Sequence, residues 1–132
     1  MNNRQMGNSF EDELCNILCK YGFWSTNLAQ KKSGQPADVI AAKNNKAYLI
    51  DAKVCSKGIF PFSRIEDNQD LSMEWWKSCG NGIGWFALKL NNQIYMISHY
   101  VMKAYRDQQS SLSAREIVEL GTPIEKWVMK CK

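Results

Sequence analysis

The sequence predicts an α/β domain, and three stretches carry that prediction. Residues 39–42 and 47–52 are apolar runs joined by the polar residues 43–46, a pattern that indicates a tight β-hairpin. Residues 85–97 repeat the pattern around a second Asn-Asn pair. Apolar side chains at helical spacing in residues 8–21 indicate an amphipathic helix ahead of the first hairpin.

Length and composition favour a single domain over residues 1–132, with 45% hydrophobic residues to build a core. Lys and Arg outnumber Asp and Glu by 17 to 13, and the resulting charge of +4 is compatible with a polyanionic partner without proving one. The five cysteines are odd in number and form no Cys-X-X-Cys pair, which predicts reduced thiols in a cytoplasmic protein. The polar N-terminus and the absence of a long apolar run predict neither a signal peptide nor a membrane partner.

The first helix is expected to begin at Asn8 or Ser9, after a flexible basic arm at residues 1–7 that carries Arg4. Three acidic residues from Glu11 onward would then lie in its first turn, where the helix dipole favours negative charge. Glu11 also lies at the margin of the apolar stripe, so its carboxylate can point along the sheet. The stripe consists of Phe10, Leu14, Ile17, Leu18 and Tyr21.

Charged residues mark one end of the first hairpin. Asp38 opens its first strand, whereas Asp51 and Lys53 close its second. An antiparallel hairpin brings these two ends together, and strand alternation places Asp51 and Lys53 on one face. Neighbouring carboxylates repel each other, and a divalent cation relieves that repulsion. Oxygen ligands of this kind suit Mg²⁺, for which Mn²⁺ can substitute.

These residues resemble the signature of the PD-(D/E)XK nuclease superfamily, with Pro36 and Asp38 before one strand and Asp51-X-Lys53 after the next. Further motifs resemble Holliday junction resolvases of the RecU and Hjc type: Gly7 to Glu11 matches their Gly-X-X-X-Glu opening. Two later motifs match as well, Phe60-Pro61 and Asp67-Asn68-Gln69, so that the resemblance runs from Gly7 to Trp76. The loop before Asp38 is too short for the stalk of RecU, which is closer to the Hjc pattern.

The resemblance implies a restriction-endonuclease-like core, a central mixed β-sheet flanked by α-helices, and cleavage of four-way DNA junctions by a homodimer. It implies a metal held by Asp38, Asp51, Glu11 and the carbonyl of Ala52, with Lys53 orienting or deprotonating the attacking water or stabilising charge at phosphorus. Gln69 is expected in the first turn of a helix capped by Asp67, reaching toward metal-bound water or the DNA backbone.

DNA contacts are expected from basic and hydroxyl side chains outside this cluster, with Ser33 matching a hydroxyl that Hjc proteins often place near the scissile phosphate. These residues are Arg4, Lys31, Lys32, Ser33, Lys57 and Arg64. Four aromatic residues are expected to supply exposed apolar surface for a dimer, although one of the two tryptophans is expected in the core. They are Phe60, Phe62, Trp75 and Trp76.

Two other functions stay open at this point. One is another nuclease on the same core, of nicking, repair or restriction type, and the other is a non-catalytic module that binds DNA or a partner. Retention of Asp38, Asp51 and Lys53 together argues against the second. His99 is the only histidine and has no visible partner, so it is not expected to act as a general base. The last third of the chain carries no motif with readable chemistry.

Overall fold

The computed structural model describes the backbone of residues 3–28 and 37–131, with the side chains of the first range described from Ser9 onward. A six-stranded mixed sheet has the order β1-β2-β3-β5-β6-β8. Its strands are β1 Trp24–Asn27, β2 Val39–Lys43, β3 Lys46–Val54, β5 Trp85–Leu90, β6 Gln93–Ser98 and β8 Thr122–Pro123. Two short strands, β4 Ile59–Pro61 and β7 Ser111–Ser113, form a separate antiparallel pair. In the large sheet β3 and β5 run parallel, and the other described pairs of neighbouring strands are antiparallel.

Five α-helices accompany the strands over the described residues. They are α1 Asn3–Lys20, α2 Asp67–Trp76, α3 His99–Arg106, α4 Ala114–Leu120 and α5 Ile124–Lys130. Helices α1 and α5 cover one face of the sheet, whereas α2, α3 and α4 pack on the other. The predicted α/β class with a mixed sheet between helices is therefore confirmed. No described helix combines the length and apolar character that a bilayer crossing requires.

Local sequence explains the turns and caps. Asn44 and Asn45 have φ values of 54° and 67°, as a tight hairpin turn requires, and Asn91 has φ 56° in the second hairpin. The Ser98 hydroxyl accepts a hydrogen bond from Val101 N–H and caps α3. Helix α4 is capped by the Ser113 side chain, which accepts a hydrogen bond from the Glu116 N–H.

The start of the first helix was predicted wrongly. Helix α1 begins at Asn3 rather than at Asn8, so the backbone of residues 3–7 belongs to the helix instead of a flexible arm. Gly7 does not stop it, because a glycine inside a helix costs only about 1 kcal/mol relative to alanine. Glu11 therefore lies in the third turn of the helix, away from its N-terminal dipole, and needs another explanation.

The aromatic residues were predicted only in part. Phe60 and Phe62 are buried beneath the sheet rather than exposed, because β4 pairs with β7 and closes over them. On α2, Trp75 is 74% exposed, whereas Trp76 is half-buried against the core. The α-helix ends at Trp76, and a π-helical turn continues to Asn81.

Candidate active site

Asp38 and Asp51 meet at one end of the sheet, as the hairpin predicted. Val39 pairs with Ile50 across β2 and β3, and continuing that register places Asp38 opposite Asp51. The N–H of Asp38 donates to the Ile50 carbonyl at 3.1 Å, which extends the ladder by one step. The N–H of Ala52 donates to Asp38 Oδ2 at 2.7 Å. Backbone pairing therefore fixes the position of both carboxyl groups.

Asp51 is fully buried and incompletely hydrogen-bonded. Its Oδ1 accepts from Gln69 Nε2 at 3.1 Å. Its Oδ2 has no hydrogen-bond partner among the residues that the structure describes, although the Lys53 Nζ lies 3.3 Å away. Lys53 extends from the same face of β3, two residues on, and its side chain is 14% exposed. A buried carboxylate oxygen without a hydrogen bond is costly, and in native proteins such an atom calls for an explanation.

The pKa values of the two aspartates are shifted in opposite directions. Burial raises the pKa of Asp51 well above its ordinary value, and the Asp38 carboxylate raises it further against the opposing charge of Lys53. Burial also works against ionisation of Asp38, but hydrogen bonds from Asp51, Glu11 and the Ala52 N–H lower its pKa overall. The two carboxyl groups therefore influence each other's ionisation, and Asp51 is the harder of the two to ionise.

Glu11 reaches this pair from α1. Its side chain is half-buried and hydrogen-bonds to Asp38. On the helix it lies beside the buried stripe that contains Leu14 and Leu18, which is the marginal position predicted from the spacing. Three carboxyl groups from a helix and two strands thus come together at one sheet end.

Gln69 is placed differently from the prediction. Its side chain is buried, and its Oε1 accepts from the Glu66 N–H at 3.0 Å while its Nε2 donates to Asp51. Glu66, rather than Asp67, caps α2, because Glu66 and Gln69 form a reciprocal capping box. Both ends of the amide are therefore engaged within the protein, and Gln69 holds Asp51 instead of projecting into the solvent.

The donor set suits a hard divalent cation. Among the residues that the structure describes, no group of three or more His, Cys, Asp and Glu side chains is already arranged around a metal position. The carboxyl groups instead contact one another through hydrogen bonds. Among the described residues, Asp51 Oδ2 accepts no hydrogen bond, and this oxygen together with the all-oxygen donor set fits a hard divalent cation.

Of the residues predicted to contact DNA, Lys57 and Arg64 lie in the described part of the chain together with their side chains. Lys57 is exposed in the turn after β3. The exposed Arg64 donates to the Val54 carbonyl at 2.8 Å and lies over the Phe60 ring at 5.7 Å. Lys31, Lys32 and Ser33 lie outside the described residues, as does the side chain of Arg4.

A second polar cluster on α2 and α3 had no signal in the sequence. We call it the α2–α3 cluster; it comprises Asp70, Glu74, His99, Lys103 and Arg106. Buried His99 bonds through Nε2 to Asp70 Oδ1 at 2.8 Å, so it does have a partner, contrary to expectation. Arg106 Nη1 donates to Asp70 Oδ2 at 2.8 Å, and Lys103 pairs with Glu74. These partners are about 30 residues apart in the chain, so no local pattern could link them.

Known proteins resemble this chain in sequence and in fold. The family model of archaeal Holliday junction resolvases (Hjc) matches residues 2–132. Among solved structures, this chain is similar to Hjc from Archaeoglobus fulgidus, a Holliday junction resolvase from an archaeal hyperthermophile, with a TM-score of 0.73. That match has 17% sequence identity and covers 92% of this chain and 99% of the other, which shows a shared fold. A search of curated proteins found no significant match.

Proposed function

This chain belongs to the archaeal Holliday junction resolvase (Hjc) family, and we propose that it is a metal-dependent endonuclease that resolves four-way DNA junctions by paired symmetric nicks. The buried Asp38–Asp51 pair with Lys53 beside it is the observation that carries the proposal. Charged groups gathered in a protein interior cost stability, and they are kept where chemistry uses them.

Asp38, Asp51, Glu11 and the carbonyl of Ala52 would hold the divalent cation, with Mg²⁺ as the physiological ion and Mn²⁺ as a substitute. When bound, that cation supplies neutralisation of phosphate charge and lowers the pKa of a water molecule. Lys53 places its side-chain nitrogen 3.3 Å from Asp51 Oδ2. From there it orients or deprotonates the attacking water, or stabilises the charge that develops at phosphorus.

Gln69 contributes through Asp51 and not by touching DNA. Its amide nitrogen holds one Asp51 oxygen, and the capping box holds the amide in turn. This arrangement leaves the other oxygen of Asp51 available for a cation. Gln69 is therefore a positioning residue for the metal ligand.

The substrate is branched double-stranded DNA, contacted by side chains around the active site. Lys57 and Arg64 are exposed and follow the strand that carries Asp51 and Lys53, and they are the proposed contacts to backbone phosphates in this region. The remaining proposed contacts are Arg4, Lys31, Lys32 and Ser33. Each phosphate contact adds affinity that falls as salt concentration rises.

The enzyme acts as a homodimer, because a four-way junction needs two symmetric nicks and therefore two active sites. Doubling the charge of +4 on one chain also strengthens the attraction of DNA. With Phe60 and Phe62 buried, the apolar contact surface consists of Leu71 and Trp75, one turn apart on α2 and 69% and 74% exposed.

The test is to incubate purified protein and Mg²⁺ with a synthetic four-way junction, linear duplex, flap and single-stranded DNA. We expect paired, symmetric nicks with religatable ends in the junction, no cleavage in EDTA, and a two-fold-symmetric dimer by light scattering. A stable monomer that cuts linear duplex as fast as the junction would contradict the proposal and leave a general nuclease of the same superfamily.

A further inference from the structure

Helix α1 carries acidic residues on both sides of its buried stripe. Successive residues are 100° apart around a helix, so Glu11 and Glu13 flank the stripe that contains Phe10 and Leu14 on opposite sides. Glu11 hydrogen-bonds to Asp38 at the active site. Glu13 turns the other way and accepts a hydrogen bond from Lys89 Nζ at 2.6 Å. The two margins of one helix are thus tied to different strands.

Lys89 is held close to α1 by two contacts. It extends from β5, where its Cα pairs with that of Val54, the last residue at the active-site end of β3. Its side chain is 26% exposed, and its Nζ lies 5.8 Å from the centre of the Phe10 ring in addition to the Glu13 contact. Phe10 and Glu13 lie on either side of Glu11 in sequence. A partly buried ion pair of this kind is more effective than an exposed one.

Polar contacts also hold the opposite side of α1. Asn27 on β1 donates from Nδ2 to Asp12 Oδ1 at 2.6 Å, and the Cys15 thiol donates to Asn27 Oδ1 at 2.8 Å. With Asn27 on one margin and Lys89 on the other, rotation of α1 about its axis breaks one contact or the other. The apolar stripe alone is less restrictive, because hydrophobic contact has no direction.

The rotation of α1 matters for metal binding. With side chains, a helix has a radius of about 5 Å, so a rotation of about 20° moves a side-chain tip by roughly 2 Å. Mg²⁺ requires oxygen ligands near about 2.1 Å in near-octahedral geometry, which tolerates only a small fraction of such a displacement. The position of the Glu11 carboxylate therefore depends on what fixes the rotation of the helix.

We propose that Lys89 is a positioning residue of the active site: through Glu13 it sets the rotation of α1 that presents Glu11 to Asp38. The inference rests on the proposed function only in taking Glu11 as a metal ligand. Lys89 itself touches neither the metal nor the reacting phosphate. Its contribution is to the affinity of the cation and passes through the ion pair.

Mn²⁺ binding in the absence of DNA tests this directly, with free Mn²⁺ measured by electron paramagnetic resonance. We expect Lys89→Met and Glu13→Gln each to weaken Mn²⁺ binding by roughly 10-fold, the lower end of what outer partners of metal ligands contribute. The double variant should be no weaker than either single variant, because both changes remove the same contact. Lys89→Arg should retain most of the affinity.

Glu119→Gln provides the matched control, because it removes an exposed ion pair with Arg115 on α4. Helix α4 packs on the face of the sheet opposite α1. This variant should bind Mn²⁺ as the unaltered protein does. Thermal unfolding of each variant, recorded at the same time, reports whether the fold is retained. A folded Lys89→Met protein with unchanged Mn²⁺ affinity, or additive effects in the double variant, would overturn the inference.

The two proposals fail in different ways. Junction cleavage by the unaltered protein together with unchanged Mn²⁺ affinity in Lys89→Met overturns the role of Lys89 alone. Mn²⁺ binding that weakens as expected, in a protein that cuts no junction, supports the role of Lys89 and overturns the proposed function. An unaltered protein that binds no Mn²⁺ overturns both.

Discussion

Helix α2 takes part in two polar clusters that differ in how completely their charges are paired. One is the carboxyl site, where Gln69 holds the buried Asp51 and where one Asp51 oxygen accepts no hydrogen bond from the described part of the chain. The other is the α2–α3 cluster, which begins one residue later at Asp70. There the Arg106 guanidinium bonds to both carboxylate oxygens, and His99 bonds to one of them.

The pKa values reflect this difference. Burial raises the pKa of Asp51, and nothing in the site fully compensates. Partial burial also disfavours ionisation of Asp70, but hydrogen bonds from Arg106 and His99 lower its pKa overall. A fully paired cluster stabilises the fold, whereas an incompletely paired one is held in place by the rest of the structure and is available for function. The adjacent residues Gln69 and Asp70 on α2 thus belong to two clusters of different kinds, one incompletely paired and one fully paired.

The largest contrast is expected in catalysis. Asp51→Asn and Asp38→Asn should each reduce junction cleavage by at least about 10³-fold, because a catalytic cation supplies several kcal/mol of charge stabilisation and each 1.4 kcal/mol is tenfold in rate. DNA binding should survive both changes. Asp70→Asn should leave the cleavage rate within about threefold of the unaltered protein, since the ion pair between Asp70 and Arg106 contributes to folding rather than to chemistry. Cleavage by Asp51→Asn at a near-normal rate would end the assignment of the site.

A smaller contrast is expected when the basic side chain of each cluster is removed, Lys53 in the carboxyl site and Arg106 in the α2–α3 cluster. Lys53→Ala should lose about 10²-fold in cleavage rate without a change in the Mg²⁺ midpoint, because lysine supplies no metal ligand. Arg106→Ala should keep the cleavage rate and lower the melting temperature instead.

Glu11→Gln separates the roles of Glu11 and Lys53 within the carboxyl site, since it should raise the Mg²⁺ concentration needed for half-maximal cleavage. If added Mg²⁺ rescues Lys53→Ala and never Glu11→Gln, the roles of the two residues are reversed.

The smallest effects are expected in the stability of the metal-free protein, and they differ in sign. The folded-state pKa of Asp51 lies above its unfolded value, so the folded state loses stability as pH rises from the unfolded pKa through the folded one. Asp51→Asn removes that loss and should stabilise the protein at neutral pH by on the order of 1 kcal/mol, more so as pH rises. Melting temperatures in EDTA across a pH series measure this.

Asp70 should respond in the opposite direction in the same experiment. Its folded-state pKa lies below the unfolded value, so its contribution is present above the unfolded pKa and is lost as pH falls through the folded one. Asp70→Asn should therefore lower the free energy of unfolding at neutral pH by about 1–2 kcal/mol, and the difference should shrink in acid. A stabilised Asp70→Asn or a destabilised Asp51→Asn at neutral pH would contradict the comparison.

Much of the site could be predicted because its central pair is local. Two apolar runs and the turn at Asn44 and Asn45 determine the hairpin, and its register alone brings Asp38 beside Asp51. Strand alternation then places Lys53 on the face of Asp51. Gly-X-X-X-Glu marked Glu11 by resemblance, although the helix around it begins five residues earlier than its capping signals indicated.

What the sequence determined by itself is therefore the hairpin, the hairpin ends that carry charge, and the α/β class, since each depends on neighbours within a few residues. The tertiary structure alone decided that Asp51 is buried with a raised pKa, that Gln69 turns inward, and that Phe60 and Phe62 are covered by the pairing of β4 with β7. It alone brought His99 to Asp70 and Lys89 to Glu13, across 29 and 76 residues. Burial and electrostatics depend on everything that surrounds a group in space, and a linear pattern records only what lies beside it in the chain.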